Sequence, residues 1–225
     1  MHVLSRRMRR RLVRHHLPLA IGSALGTLAV RGLTTSEQAV FRWSMATGYV
    51  ALALLVATLA TGPLNVLRGR ANPVSSDLRR DIGIWGGLLS VAHFVFGLQV
   101  HLKHRWLYWL REGSLLPRTD FFGFANHTGL VATLIAVLLL VLSNDYYLRR
   151  LGTVRWKSLQ RWNYALFALV IVHGAAYQLI EKRIAGFVVA FAGLSVCGIA
   201  IQAVGFWRVR SRSERRSIET GPSGS

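Results

Sequence analysis

Apolar residues in this chain come in blocks, with the polar and charged residues collected between them. Six blocks are predicted as helices, at roughly 15–31, 43–62, 82–102, 122–143, 160–180 and 184–206. Each is close to the ~20 residues a helix needs to cross a bilayer. The first is short and rich in Gly and Ala. The second ends at Thr61-Gly62-Pro63, where the proline is expected to stop the helix. The pattern predicts an all-α membrane protein: a six-transmembrane helical bundle over 15–207, preceded by a basic tail at 1–14. The Ser/Arg/Gly-rich stretch 208–225 is expected to be disordered. Met1–Arg14 precedes an apolar block as a signal peptide would. It lacks a convincing small-residue cleavage site, so the first block is expected to be a retained span.

Composition agrees with the pattern. Of 225 residues, 52% are hydrophobic and only 16% charged, well under the usual quarter. The net charge of +19 would suit nucleic acid, but all 28 Lys and Arg lie between, outside or at the very edges of the blocks. That placement is what topology anchoring and attraction to anionic lipid headgroups produce, so nucleic acid is rejected. Twenty of the 28 fall on one side of the predicted bundle, which places both termini in the cytoplasm. All nine acids sit in loops, tails or span ends, which argues against a proton-coupled pump. The one cysteine, Cys197, has no internal partner for a disulfide.

Histidines are then the main titratable groups within the spans. His93 and His173 stand about 11 and 13 residues into spans three and five, which run parallel. At ~1.5 Å per residue both reach a depth near the bilayer midplane. Two imidazoles at matched depth on neighbouring helices are able to ligate one haem iron from both faces. Gly86, Gly87, Gly97 and Gly174 are expected to leave room for a flat macrocycle. The competing reading is that each histidine hydrogen-bonds a neighbouring helix and packs. Tyr177, one turn past His173, is a candidate for the same pocket. Arg79, Arg80 and Arg161 are candidates for an acidic cofactor edge or an acidic protein surface, against plain topology anchoring. Trp85, Trp162 and Tyr164 are weaker flanking candidates. His101, His104 and His127 form an outer group, readable as interfacial residues, a docking surface or a weak metal site. His2, His15 and His16 belong to the basic N-terminus and read as interfacial.

Four stretches bear a likeness to a known family. They are Thr47-Gly48 with Ala51-Leu52 and Thr61-Gly62-Pro63-Leu64; Arg79-Arg80-x-x-Gly83-x-Trp85 with His93; Leu148-Arg149-Arg150-Leu151-Gly152; and Trp156-x-x-Leu159 with Tyr164 and His173. Together they span roughly 43–181 and resemble the ferric reductase-like transmembrane domain family. Within it the likeness is closest to the haem-binding membrane subunits of periplasmic methionine sulfoxide reductase systems. The resemblance implies haem b held by His93 and His173, in the inner membrane of a bacterium. It also implies electrons passing outward to a periplasmic oxidoreductase acceptor. After Trp-x-x-Leu such relatives carry a histidine where this chain has Gln160, so one haem is expected in place of two. No flavin or nicotinamide domain follows span six, so the donor is expected to be a separate cytoplasmic reductase, with its own flavin, or a quinol. The chain would be the electron-transfer component of an oxidoreductase. Two other readings stand beside it: a haem-free membrane scaffold that binds a partner protein, and a histidine-based metal or small-solute transporter.

Overall fold

The computed structural model describes residues 6–70, 77–101 and 105–219, the backbone alone at 105 and 212–219. Helix α1 (Arg6–Arg11) passes through a π-helical turn, Leu12–His16, into α2 (Leu17–Leu33). There follow α3 (Ala39–Leu67), α4 (Asp77–Gly97), a 3₁₀ turn at Arg105–Tyr108, α5 (Phe121–Leu142), α6 (Asp145–Gln160), α7 (Trp162–Ile180) and α8 (Ala185–Glu219). Among the described residues there is no strand, only an isolated bridge between Leu110 and Pro117.

Four stretches are long and apolar enough to cross a membrane: Ala39–Leu67, Phe121–Leu142, Asp145–Ile180 and Ala185–Ser211. The other two expected spans are helical but differ in kind. α2 has 17 residues, about 25 Å of helix. α4 opens with Asp77, Arg79, Arg80 and Asp81, so its apolar run is shorter than the helix.

α3 packs against α2, α4 and α8, and α5 lies between α4 and α7. Leu52, Val56 and Leu59 of α3 bury Phe167 of α7. Ala132, Ile135, Ala136 and Leu139 of α5 bury Leu166. Side chains such as Val189, Ile199 and Trp207 on α8 point outward and exposed, as a lipid-facing surface does. In lipid, helices associate by close approach, and α4 shows how. A methyl group added at Gly86 would lie 3.4 Å from Leu54 of α3, and one at Gly87 would lie 3.3 Å from Leu140 of α5. These two glycines are therefore taken up by helix contact.

Pro63 does not end its helix, contrary to expectation: α3 runs on to Leu67. Proline has no N–H to give the carbonyl four residues back, which strands the Leu59 oxygen. Gln202 of α8 fills the gap, its Nε2 donating to that oxygen at 2.6 Å. A side chain 143 positions from that carbonyl thus completes the helix. α4 also sits five residues earlier than its expected span. Its end is set by Tyr108, which is almost fully buried. The Tyr108 hydroxyl donates to the Gly97 carbonyl and accepts from the His101 N–H, both at 3.0 Å.

At the end of the bundle where α4 begins, the charges pair across helices. Asp81 is fully buried and meets Arg11, His15 at 2.8 Å and His16 at 3.2 Å. The π turn, with its extra residue per turn, contributes both histidines to one carboxylate. His15 and His16, expected to be merely interfacial, are structural partners of this acid. Arg7 reaches Asp77 at 2.7 Å and Arg80 reaches Asp145 at 2.5 Å. These hydrogen bonds hold the Asp77 and Asp145 carboxyls below their ordinary values. α6 is broken at Gly152, whose φ of 71° suits glycine and turns the chain toward α7.

The expected disordered tail is helical through Glu219, and residues 220–225 lie outside the described residues. Elongating an existing helix is far easier than nucleating one, and Arg and Glu are good helix formers. His2 and His104 also lie outside the described residues.

The rescue of Leu59 generates a test. Gln202→Leu should destabilise the protein by about 1–3 kcal/mol, the cost of an unsatisfied buried carbonyl, seen as a lower unfolding midpoint in detergent. In a Pro63→Ala background, where residue 63 regains its N–H, the same change should cost much less. Equal losses in both backgrounds would contradict the account.

Candidate functional site

Near the end of the bundle opposite that charge network, α3, α4, α5 and α7 enclose a cavity of about 180 Å³, lined by both His93 and His173. The two rings lie 6.1 Å apart, centroid to centroid, with planes crossed at 77°. Each is held by the helix beside its own. His93 Nδ1 lies 2.8 Å from the Ser44 carbonyl of α3, and His173 Nδ1 lies 2.9 Å from the Ala125 carbonyl of α5. A carbonyl only accepts, so Nδ1 carries the proton on both rings. That leaves each Nε2 with its lone pair, the tautomer a metal ligand needs.

The two supports share a pattern. Four residues after each accepting carbonyl comes a glycine, one helical turn along the same face. A methyl group at Gly48 would stand 2.9 Å from His93 Nδ1, and one at Gly129 would stand 2.6 Å from His173 Nδ1. The glycines that make room for the rings are thus on the facing helices. Of those expected from sequence, Gly97 and Gly174 both line the cavity, and Gly174 also meets the Phe191 ring.

The ring spacing suits one metal ion between two imidazoles. Imidazole–metal bonds of about 2 Å on either side, extended to the ring centres, span about 6 Å, close to the observed 6.1 Å. His173 stands near the middle of α7, seven residues before its end. His93 is four residues before the end of α4, or about 6 Å of helix.

Tyr177 stands over His173 with ring centroids 5.0 Å apart, and its hydroxyl donates to Asn126 Oδ1 at 2.8 Å. His101 stacks on Tyr177 at 6.3 Å and pairs with Glu181 at 2.8 Å. That hydrogen bond holds the Glu181 carboxyl below its ordinary value. His127 instead meets the Arg118 carbonyl at 3.2 Å. His101 and His127 therefore have separate partners, and among the described residues no group of three metal-binding side chains gathers. Tyr108 and Trp109 line the cavity and roof it; Trp109 donates to the Asn126 carbonyl at 3.2 Å. Sequence reasoning passed over Arg183, which also lines this cavity. Burial lowers its guanidinium from the ordinary value. The neighbouring Lys182, at φ 45°, makes the turn that sends the chain back into α8.

Arg80 does not belong to this cavity. With Arg79, Gln160, Arg161 and Tyr164 it lines a second one, of about 400 Å³, at the charged end of the bundle. The two cavities share Leu55, Ser90, Ala136 and Leu166 as walls. No histidine, cysteine or methionine stands among the described residues lining the second cavity. Trp85 and Trp162 line neither cavity.

No protein-family model matches the chain, and no solved structure matches it.

The cradle predicts a graded response to methyl insertion. Gly129→Ala should destabilise the protein by about 1–3 kcal/mol through overpacking against His173. Gly22→Ala, where nothing lies within 4 Å, should be neutral or stabilise by up to about 1 kcal/mol. Unfolding midpoints of the two variants decide it, and equal effects would contradict the geometry.

Proposed function

We propose that the chain is the b-type haem electron-transfer subunit of a membrane oxidoreductase, with one haem held between His93 and His173. The carrying observation is the pair of crossed imidazoles 6.1 Å apart, each with Nδ1 committed to a backbone carbonyl. In this reading the bundle crosses the membrane six times, with α2 and α4 as the two less apolar crossings. Both termini are cytoplasmic, following the excess of basic residues at that end. Electrons come from a separate cytoplasmic flavoprotein or a quinol and leave toward a periplasmic acceptor. A bacterial inner membrane suits that route.

Held by two imidazoles, a haem supplies a one-electron couple with no open iron position, so it carries electrons and does not activate oxygen. The protein's own residues do the rest. The carbonyls of Ser44 and Ala125 hold the rings in one tautomer and orientation. Gly48 and Gly129 let α3 and α5 approach closely enough to do so. Tyr108 and Trp109 cover the site from water, and Arg183 offers a cation to an acidic edge. The aromatic stack Tyr177–His101 leads from His173 toward the surface at Glu181. The expected roles of Tyr177 and Arg80 separate: Tyr177 shares the histidine cavity, whereas Arg80 serves the other.

The test is spectroscopic. His93→Ala and His173→Ala should each abolish a low-spin b-type absorption spectrum, and His127→Ala should leave it intact. Full low-spin haem in either ligand variant would overturn the assignment.

A further inference from the structure

The second cavity has a chemistry of its own. Arg79, Arg80, Lys157 and Arg161 line it, and no carboxylate does so among the described residues. Arg80 is 7% exposed and turns its Nη1 to Asp145, yet its Nε has no partner. Gln160 Oε1 accepts from Asn163 at 3.3 Å, which leaves the amide nitrogen on the other side, buried and without a partner. Two buried donors beside four cations call for a ligand rich in acceptors and negative charge. The deeper walls are apolar, formed by Leu55, Leu139, Leu140 and Leu166. On the side of α8, Phe206 and Val209 line the cavity while remaining 65% and 53% exposed. The cavity is therefore open sideways, where lipid chains run, and not only toward water.

We infer that this cavity binds an anionic phospholipid from the leaflet at the basic end of the bundle. The phosphate lies among Arg80, Lys157, Arg161 and the Gln160 amide, and the acyl chains lie along the leucines and out past Phe206. Basic pockets between helices at that face of a membrane take such headgroups, each cation adding to the attraction. The unpartnered Gln160 amide nitrogen is suited to donate a hydrogen bond to a phosphate oxygen. The inference rests on the membrane reading and is independent of haem at His93 and His173.

The experiment compares the full-length protein with Lys157→Gln/Arg161→Gln, both exposed positions, and with Arg150→Gln outside the cavity. Bound phospholipid is counted by extraction and mass spectrometry. Affinity for phosphatidylglycerol, phosphatidylcholine and inorganic phosphate is then titrated by native mass spectrometry. The expected result is about one anionic phospholipid per chain. It should bind at least about tenfold more tightly than phosphatidylcholine and lose at least about tenfold in the double variant, with Arg150→Gln unchanged. Three results would overturn it: no preference for the anionic lipid, inorganic phosphate binding as well as the lipid, or a phosphorus-free amphiphile as the co-purifying species. The haem spectrum of the double variant is read in parallel. A loss of lipid with an unaltered spectrum separates this inference from the proposed function.

Discussion

An imidazole inside an apolar bundle has one N–H to satisfy, and where that proton goes decides what the ring can do. In this protein it goes to a backbone carbonyl of the neighbouring helix, once at Ser44 and once at Ala125. Both carbonyls belong to a helix and also accept from a hydroxyl one turn on, Thr47 at Ser44 (3.2 Å) and Thr128 at Ala125 (2.8 Å). The arrangement needs α3 close to α4 and α5 close to α7, which is why Gly48 and Gly129 face the rings. The bare Nε2 edges, the crossed planes and the ring spacing all depend on those two contacts. A histidine pair without them would be free to hydrogen-bond to each other or to rotate away.

The rest of the bundle keeps those helices in place by satisfying polar groups that the sequence otherwise leaves stranded. Gln202 completes the turn broken by Pro63, and α3 runs on unbroken past it, lining both cavities. At the charged end, Asp81 collects Arg11, His15 and His16, tying the N-terminal helix to the foot of α4. Breaking a buried ion pair leaves an uncompensated charge, so this cluster fixes which helix faces which even where its net stabilisation is small. At the other end, Tyr108 ends α4 and closes the histidine cavity with one side chain. The molecule thus has two chemically distinct chambers in line: one with imidazoles and an aromatic roof, one with cations and unsatisfied donors.

Block-like hydrophobicity made the helices legible, with α4 displaced by five residues because its end depends on Tyr108, a contact across a loop. Four of the six expected spans are long and apolar enough to cross; α2 and α4 fall short through length and through charges at the start. His93 and His173 stand out because their depths match and few other titratable groups share the spans. Their supports did not stand out. Gly48 is 45 residues from His93 and Gly129 is 44 from His173, so the cradle exists only once helices pair. Local rules misjudged Pro63 and the 208–219 stretch, the first because a distant glutamine repairs the helix, the second because an existing helix propagates. Arg183 lies between two apolar blocks, and the left-handed turn at Lys182 that redirects it has no clear mark in the sequence.

The account turns on one iron shared by two imidazoles and on a second chamber with no histidine, cysteine or methionine in its described lining. Haem counted per chain by the pyridine haemochrome method, on protein purified after expression with ample haem supply, tests both at once. The account predicts about one haem b per chain. Two haems would require iron ligands beyond His93 and His173 and would contradict the single-site account, and none would contradict the reading of His93 and His173 as a haem site.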